Sequence, residues 1–344
     1  MDIYDSPSKN QKLGTYAMTA ATNGNGFTPR FYIDADLKPN TSYYFQLSYS
    51  GSNSVGWITK SASNAYGDGS AYVNEVAQNY DFYFRANFLC EFEDYLESWV
   101  NAVGAANLKY LIIDRYPYDN GQTGICDDYF QNLEMLRNIG LQKNVKTGWF
   151  LQSFSTAQRY RQPNVNEMRY NFYTALAYGN KMLNWFTWWT PTNQGETFGN
   201  SIIDPNGNKT AMYDWVKSLN TKVKNWGPTL MGLTSKAVYH SGVLHTGVQS
   251  VPNNFWWKPA STNDDVIVSY FQNASGRKYI MVVNRSLTAT VTRSFNVNPK
   301  PSAVTEISPS TGAEVSTNYN SSTGVISASF APGEGRLYAL PSGY

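Results

Sequence analysis

The chain has 344 residues and a formal net charge of only +2, from 27 Lys+Arg against 25 Asp+Glu. That balance, with no run of Lys or Arg, argues against nucleic acid and anionic membrane surfaces as partners, and no stretch is apolar for long enough to span a bilayer. Charged residues make up 15% and aromatic ones 15%, with 26 Tyr and 10 Trp, so Asn, Ser, Thr and Gly supply much of the surface, a mixture that fits sugar binding as well as plain core packing.

The segment after Met1 is polar and shows no signal-peptide apolar core, so location stays open. Asp2 to Asp5 reads as the end of one barrel-type strand and Arg30 to Leu37 as another. Residues 41–80 fit less well: Tyr43 to Ser50 alternates like an antiparallel strand and the remainder is rich in Ser, Asn and Gly, which predicts an irregular insertion. From about residue 80 to 230, short apolar runs alternate with amphipathic helices, the pattern of βα units on a parallel sheet.

Phe88, Phe92, Leu96, Trp99 and Val103 recur at helical spacing, as do Phe130, Leu133 and Leu136. Asn164 followed by Glu167 predicts a capping box for a helix carrying Met168, Phe172 and Leu176. A last helix carries Met212, Trp215, Leu219 and Val223, with Gly227-Pro228 expected to end it. The strands between are Tyr110 to Asp114, Val145 to Gln152 and Met182 to Trp189, nearly continuous in apolar character as strands buried on both faces are.

Residues 1–235 thus hold about five barrel-type strands where a closed barrel needs about eight. The expected fold is α/β: a (β/α) TIM-type barrel lacking its first strands in this chain. Residues 236–344 change texture, with strands such as Val266 to Phe271 and Tyr279 to Asn284 between Asn-, Gly- and Pro-rich turns, and predict a C-terminal antiparallel β-sandwich. Trp256 and Trp257 are its candidate exposed aromatics.

Cys90 and Cys126 lie far apart without metal-ligand spacing, and His240 and His245 lack identifiable carboxylate partners, so neither a metal site nor a cofactor is expected. Asp204, Asn206 and Asn208 resemble the start of a calcium loop, but Lys209 stands where that loop needs glycine, which favours a plain turn.

In a barrel the C-terminal strand ends carry the active site. Asp114 ends a buried strand, so its carboxylate is expected to face the cleft, with Tyr116 and Tyr118 following it. Gln152 closes the next strand and needs a hydrogen-bond partner, either a sugar hydroxyl or neighbouring core groups. Trp188 and Trp189 close the third as stacking or packing residues. Glu196 follows in the loop, as a substitute acid or a solvated surface group. Arg159, Arg161 and Arg169 receive an acidic sugar or, the better reading, form an ion-paired face.

Four stretches, LKYLIIDRYPY from Leu108, TGWFLQS from Thr147, EMRYNFYTALAYGNKMLNWFTWW from Glu167 and IDPNGNKTAMY from Ile203, resemble the second half of bacterial beta-galactosidases of glycoside hydrolase family forty-two and their uncharacterised relatives, namely strands six, seven and eight with the last helix. The resemblance implies a retaining mechanism with two carboxylates. Ser6 and Gln152 stand where its acid/base and nucleophile would fall, and neither side chain can do that chemistry. Asp114, Glu196 and Asp5 are the carboxylates left for catalysis. The expectations are a glycoside hydrolase-like protein acting on a β-linked oligo- or polysaccharide, a binding protein that has lost its catalytic pair, or a fragment that needs an upstream segment.

Overall fold

A computed structural model describes residues 1–6, 8–16, 41–48, 71–80, 92–122, 124–192 and 195–344, in two units that divide between Phe88 and Leu89. In the N-terminal unit, β1 (Asp2–Tyr4) lies between β2 (Lys12–Thr15) and β3 (Tyr44–Gln46) and is antiparallel to both. Ile3 is buried at its centre, opposite Gly14 and Phe45. Asp2 to Asp5 is therefore not the end of a parallel barrel strand. Its polar neighbours favour a small hairpin sheet, tied at one edge by Lys12 to Asp2 at 2.7 Å.

The alternation from Tyr43 is realised as β3, with the antiparallel pairing it suggested. A second hairpin joins β4 (Tyr72–Val73) and β5 (Val76–Ala77) through Asn74 and Glu75, whose φ values of 50° and 66° fit the primed turn that hairpin twist prefers. The expected strand Arg30 to Leu37, residues 49–70 of the expected insertion and Cys90 lie outside the described residues.

The C-terminal unit opens as α1 (Phe92–Val103), β6 (Leu111–Ile113), α2 (Tyr129–Gln142), β7 (Thr147–Gln152), α3 (Val165–Ala177), β8 (Met182–Phe186) and α4 (Ala211–Met231). The strands form a parallel sheet in the order β6-β7-β8, with Leu111 opposite Thr147 and Gly148 opposite Met182. This is two successive βαβ units. Among the described residues the sheet has three strands, whereas a closed barrel needs about eight. Leu111, Ile113, Trp149 and Leu151 are buried in the core shared with the helices, and alternation sends Ile112, Phe150 and Asn184 to the opposite face.

On α1 the core face is Leu96 and Val100, while Phe92, Trp99 and Val103, expected on that face, are 40%, 45% and 40% exposed. The helix is apolar on more than one side, which spacing alone does not resolve. At the start of α3, Asn164 accepts from the backbone N–H of Asn166 and Glu167, and Glu167 accepts from Asn164 N–H, completing the capping box. Gly179, at φ +85°, ends this helix in the left-handed region that glycine enters without strain.

The predicted stop at Gly227-Pro228 is corrected, since α4 runs through both residues to Met231. Proline removes one helical N–H, but side chains hold the last turn in place. Trp226 is buried and donates from Nε1 to Ile307 O at 2.8 Å, and Lys181 Nζ donates to the carbonyls of Leu230 and Leu233 at 2.5 and 2.6 Å. Such bonds satisfy carbonyls that a helix end leaves open.

Beyond α4 come β9 (Thr234–Ser241), β10 (Trp257–Pro259), β11 (Val266–Gln272), β12 (Lys278–Asn284), β13 (Val291–Val297), β14 (Thr305–Ile307), β15 (Glu314–Ser316), β16 (Val325–Phe330) and β17 (Gly335–Ala339). They form two antiparallel sheets, β15-β14-β17-β12-β11-β9 and β10-β13-β16. One face of the larger sheet shares Val266, Val268, Ile280 and Val282 with Phe295, Ile326 and Phe330 of the smaller. Its other face adds Ile267, Met281 and Leu337 to the core of the helices.

Burial on both faces explains why β11 and β12 are almost continuously apolar. The Gly-Glu-Gly turn allows α3 to approach closely: a Cβ on Gly333 would stand 2.6 Å from Asn166 O, and one on Gly335 would stand 2.6 Å from Tyr173. The change of texture expected at residue 235 coincides with the start of β9, yet the helices and the large sheet share one core within one unit. Trp257 is fully buried against Phe295 and Tyr338, and Trp256 packs among Phe255, Tyr270 and Tyr344, so neither is the exposed aromatic expected.

Candidate functional site

The C-terminal ends of β6, β7 and β8 lie side by side because the three strands pair in parallel. The first end delivers Asp114, an exposed residue directly after buried Ile113. Two residues on, Tyr116 is 6% exposed. Burial raises the pKa of its hydroxyl, and the charge of Asp114 and the neighbouring Tyr160 act in the same direction. The tyrosine therefore stays a neutral hydrogen-bond donor beside a carboxylate acceptor.

Around Tyr116 stand Phe154 at 4.8 Å, Tyr160 at 5.4 Å and Phe186 at 5.9 Å between ring centroids. Phe198 extends the group at 5.8 Å from Phe154. These are edge-to-face and tilted contacts, the arrangement aromatic quadrupoles prefer. Phe186 keeps 36% of its surface exposed, so the cluster presents an aromatic face to solvent. Phe154, Tyr160, Phe186 and Phe198 were missed at the sequence level. The recoverable signal was the density of aromatics in the segments that follow β7 and β8.

Gln152 does not belong to this open face. It is fully buried, and its amide is consumed by backbone: Oε1 accepts from Tyr118 N–H at 3.1 Å, and Nε2 donates to the carbonyls of Tyr118, Phe154 and Arg161 at 3.4, 3.3 and 2.9 Å. Tyr118 is equally enclosed and donates from its hydroxyl to Glu167 O at 2.6 Å. Both expectations of substrate contact are corrected, because side chains with no exposed surface and filled hydrogen-bond capacity have nothing to offer a sugar.

Trp188 and Trp189 are 56% and 50% exposed. The strand ends at Phe186, so alternation no longer decides where they point. Trp188 lies 5.8 Å from Tyr213 at the start of α4 and borders a groove along that helix. The site residues thus fall into two groups, Asp114 with the aromatic cluster and Trp188 with Tyr213.

Glu196 is exposed in the segment between β8 and α4. Asp5 lies in the N-terminal unit, where its carboxylate accepts from Gln11 N–H at 3.0 Å and Ser6 Oγ at 3.2 Å and so fixes a turn.

The arginines are engaged. Arg161 makes a bidentate pair with Glu167 at 2.7 and 2.9 Å, Arg159 approaches Asp119 at 3.6 Å, and Arg169 donates to Pro332 O at 2.8 Å. Asp204 accepts from the backbone N–H of Asn206 and Asn208 at 2.9 and 2.8 Å, the self-contained turn favoured over a calcium loop. Among the described residues no three His, Cys, Asp or Glu side chains gather in a metal-binding group, and no helix is long and apolar enough to cross a membrane.

No family model and no curated protein matches the chain. Similar solved structures include an assigned alpha-galactosidase of Bacteroides fragilis at 12% identity, covering 72% of this chain and 45% of its own, with a TM-score of 0.39. A family 27 β-L-arabinopyranosidase of Geobacillus stearothermophilus is 10% identical over 73% of this chain and 62% of its own, with a TM-score of 0.32. A family 51 arabinofuranosidase of Xanthomonas axonopodis is 12% identical over 73% and 54%, with a TM-score of 0.31. The chain spans about half the length of the first of these. All three carry glycosidase names, and none carries that of the family forty-two beta-galactosidases.

Proposed function

We propose that the strand-end face binds a β-linked oligo- or polysaccharide in a glycoside hydrolase-like protein. The observation that carries this reading is the exposed Asp114 carboxylate beside the neutral Tyr116 hydroxyl, next to aromatic surface at Phe186 and with the half-exposed Trp188 and Trp189 following on the same chain. Aromatic faces meet pyranose C–H faces, a carboxylate accepts from sugar hydroxyls, and a phenol donates to them. The preference for a β-linkage, and for galactosides among them, comes from the motif resemblance.

Hydrolysis asks for more. A retaining pair stands about 5–5.5 Å apart and an inverting pair about 6.5–9.5 Å apart. Asp114 would be one member. Gln152 is enclosed, which leaves Glu196, in the same unit, as the second carboxylate among the sequence's candidates.

Binding of β-galacto-oligosaccharides and turnover of nitrophenyl β-glycosides, each compared with Asp114→Asn, test the proposal. Saccharide binding that weakens about tenfold in the variant supports the site, at roughly 1.4 kcal/mol per tenfold. Turnover abolished by the same change would make the protein a hydrolase, and binding without turnover would make it a non-catalytic glycan binder. Affinity unchanged by Asp114→Asn, or no binding, overturns the site.

A further inference from the structure

The outer face of α4 carries a groove of about 300 Å³ lined by Trp188, Tyr213, Val216, Lys217, Asn220, Thr221 and Lys224. On the helix these residues recur at intervals of three and four, so they form one stripe. The stripe from Tyr213 to Lys224 runs about 16 Å, long enough for more than one sugar ring. At its upper end Trp188 and Tyr213 present rings 5.8 Å apart. Below them Asn220 is held in place by Trp185, whose Nε1 donates to Asn220 Oδ1 at 3.1 Å, and its amide N–H donors stay available.

The charge of the groove has one sign. Lys217 and Lys224 are exposed within it, and Lys209 sits at its rim with Nζ 4.2 Å from the centre of the Tyr213 ring. None of the three has an ion-pair partner among the described residues, and no Asp or Glu lines the groove. Among the described residues three lysines outside the groove are ion-paired, Lys9 with Glu75, Lys12 with Asp2 and Lys143 with Glu97, so what sets the groove apart is three unpaired lysines gathered at one aromatic surface. A nearly neutral protein has here gathered unpaired ammonium groups beside an aromatic platform.

We propose that this groove binds an acidic saccharide, with pyranose rings against Trp188 and Tyr213 and uronate carboxylates beside Lys217 and Lys224. The proposal rests on the glycan-binding reading above and adds its substrate class: a glycan that carries uronic acids and reaches from the strand ends onto α4. Aromatic stacking supplies affinity for the ring, and the lysines distinguish charged from neutral sugars. Attraction between exposed charges is screened over about 10 Å at 0.1 M salt, so this selectivity depends on ionic strength.

The test uses the full chain with β-1,4-linked trimannuronate and its fully methyl-esterified twin, which has the same rings and linkage without charge. Affinity is read by calorimetry and by tryptophan fluorescence. Wild type should bind the acid about tenfold tighter than the ester at low salt, with the gap closing at 0.5 M NaCl. The double variant Lys217→Glu, Lys224→Glu should lose about tenfold for the acid and little for the ester, while Trp188→Ala weakens both. Both lysines are exposed, and circular dichroism verifies that the variants fold.

Equal affinity for acid and ester, or acid binding unchanged in the lysine variant, overturns the proposal. Neutral β-galacto-oligosaccharide binding and its response to Asp114→Asn are measured in parallel. If that binding persists while the acid fails, the groove is wrong and the strand-end site stands. If neither ligand binds, both readings fall.

Discussion

Gln152 and Tyr118 hold each other by a two-way contact: the amide oxygen accepts from Tyr118 N–H at 3.1 Å and the amide nitrogen donates to Tyr118 O at 3.4 Å. Only an amide can serve both sides, since a carboxylate only accepts. Gln152→Glu would turn an oxygen toward the carbonyls of Tyr118, Phe154 and Arg161 inside a fully buried site. The expected outcome is a loss of about 3 kcal/mol in denaturant unfolding, with no glycosidase activity gained, although the motif resemblance puts a nucleophile at this position. A variant as stable as wild type that turned over a nitrophenyl glycoside would sink this account of Gln152.

Trp188 and Trp189 contrast with the enclosed pair, keeping 56% and 50% of their surface exposed. Replacing either by Ala should change unfolding free energy by less than about 1 kcal/mol, as surface substitutions do. Saccharide affinity should fall about tenfold, the loss of roughly one stacking contact. The comparison of a melting curve with a binding isotherm checks this. A large stability loss with intact binding would make the tryptophans packing residues instead.

The parallel strands β6, β7 and β8 were legible from their nearly unbroken apolar runs, although the burial on both faces that such runs predict holds for β7 and not for β8, whose residues are half-buried or exposed throughout. The capping box at Asn164 and Glu167 was legible because its two reciprocal bonds need those residue types at that spacing. What the chain folds back onto was not legible. The short Asp-Ile-Tyr-Asp run at Asp2 to Asp5 serves an antiparallel sheet and not a barrel strand, and Gln152 reads equally well as ligand or core amide until its neighbours from residues 118, 154 and 161 are placed. The exposed place of Asp114 directly after a strand was legible, whereas Lys217 and Lys224 became a feature only when α4 set them on one stripe with Trp188.

Trp226 joins α4 to the C-terminal sheets through its Nε1 bond to Ile307 O at 2.8 Å, and it is completely buried. Because the helices and the large sheet share this core, they should unfold together and not as a barrel followed by a separate sandwich. Trp226→Phe leaves a buried carbonyl unpartnered and removes ring volume, at a cost of about 2 kcal/mol. Hydrogen exchange should show amides of α4 and β12 losing protection by the same amount. Protection lost in α4 alone would mean that the two parts are energetically separate.

His240 faces the helices from β9, with Nε2 2.9 Å from the Tyr178 hydroxyl and its ring edge-to-face with Phe130. Burial holds its pKa well below the ordinary value of 6.5, with the positive Arg285 and then His245 adding to the effect. The native protein therefore keeps this imidazole neutral at a pH where the unfolded chain protonates it. Its contribution is fully present above the unfolded pKa of 6.5 and declines as pH falls below it, by up to about 1.4 kcal/mol per pH unit. His245 is shifted in the same direction, first by its own burial, and adds to the slope. Urea unfolding at pH 7.5, 6.5 and 5.5 should show stability falling between the last two, and less steeply in His240→Gln, which retains a hydrogen-bonding group toward Tyr178 but cannot titrate. Identical slopes in the two proteins would mean that acid sensitivity arises elsewhere, in His245 or in the carboxylates.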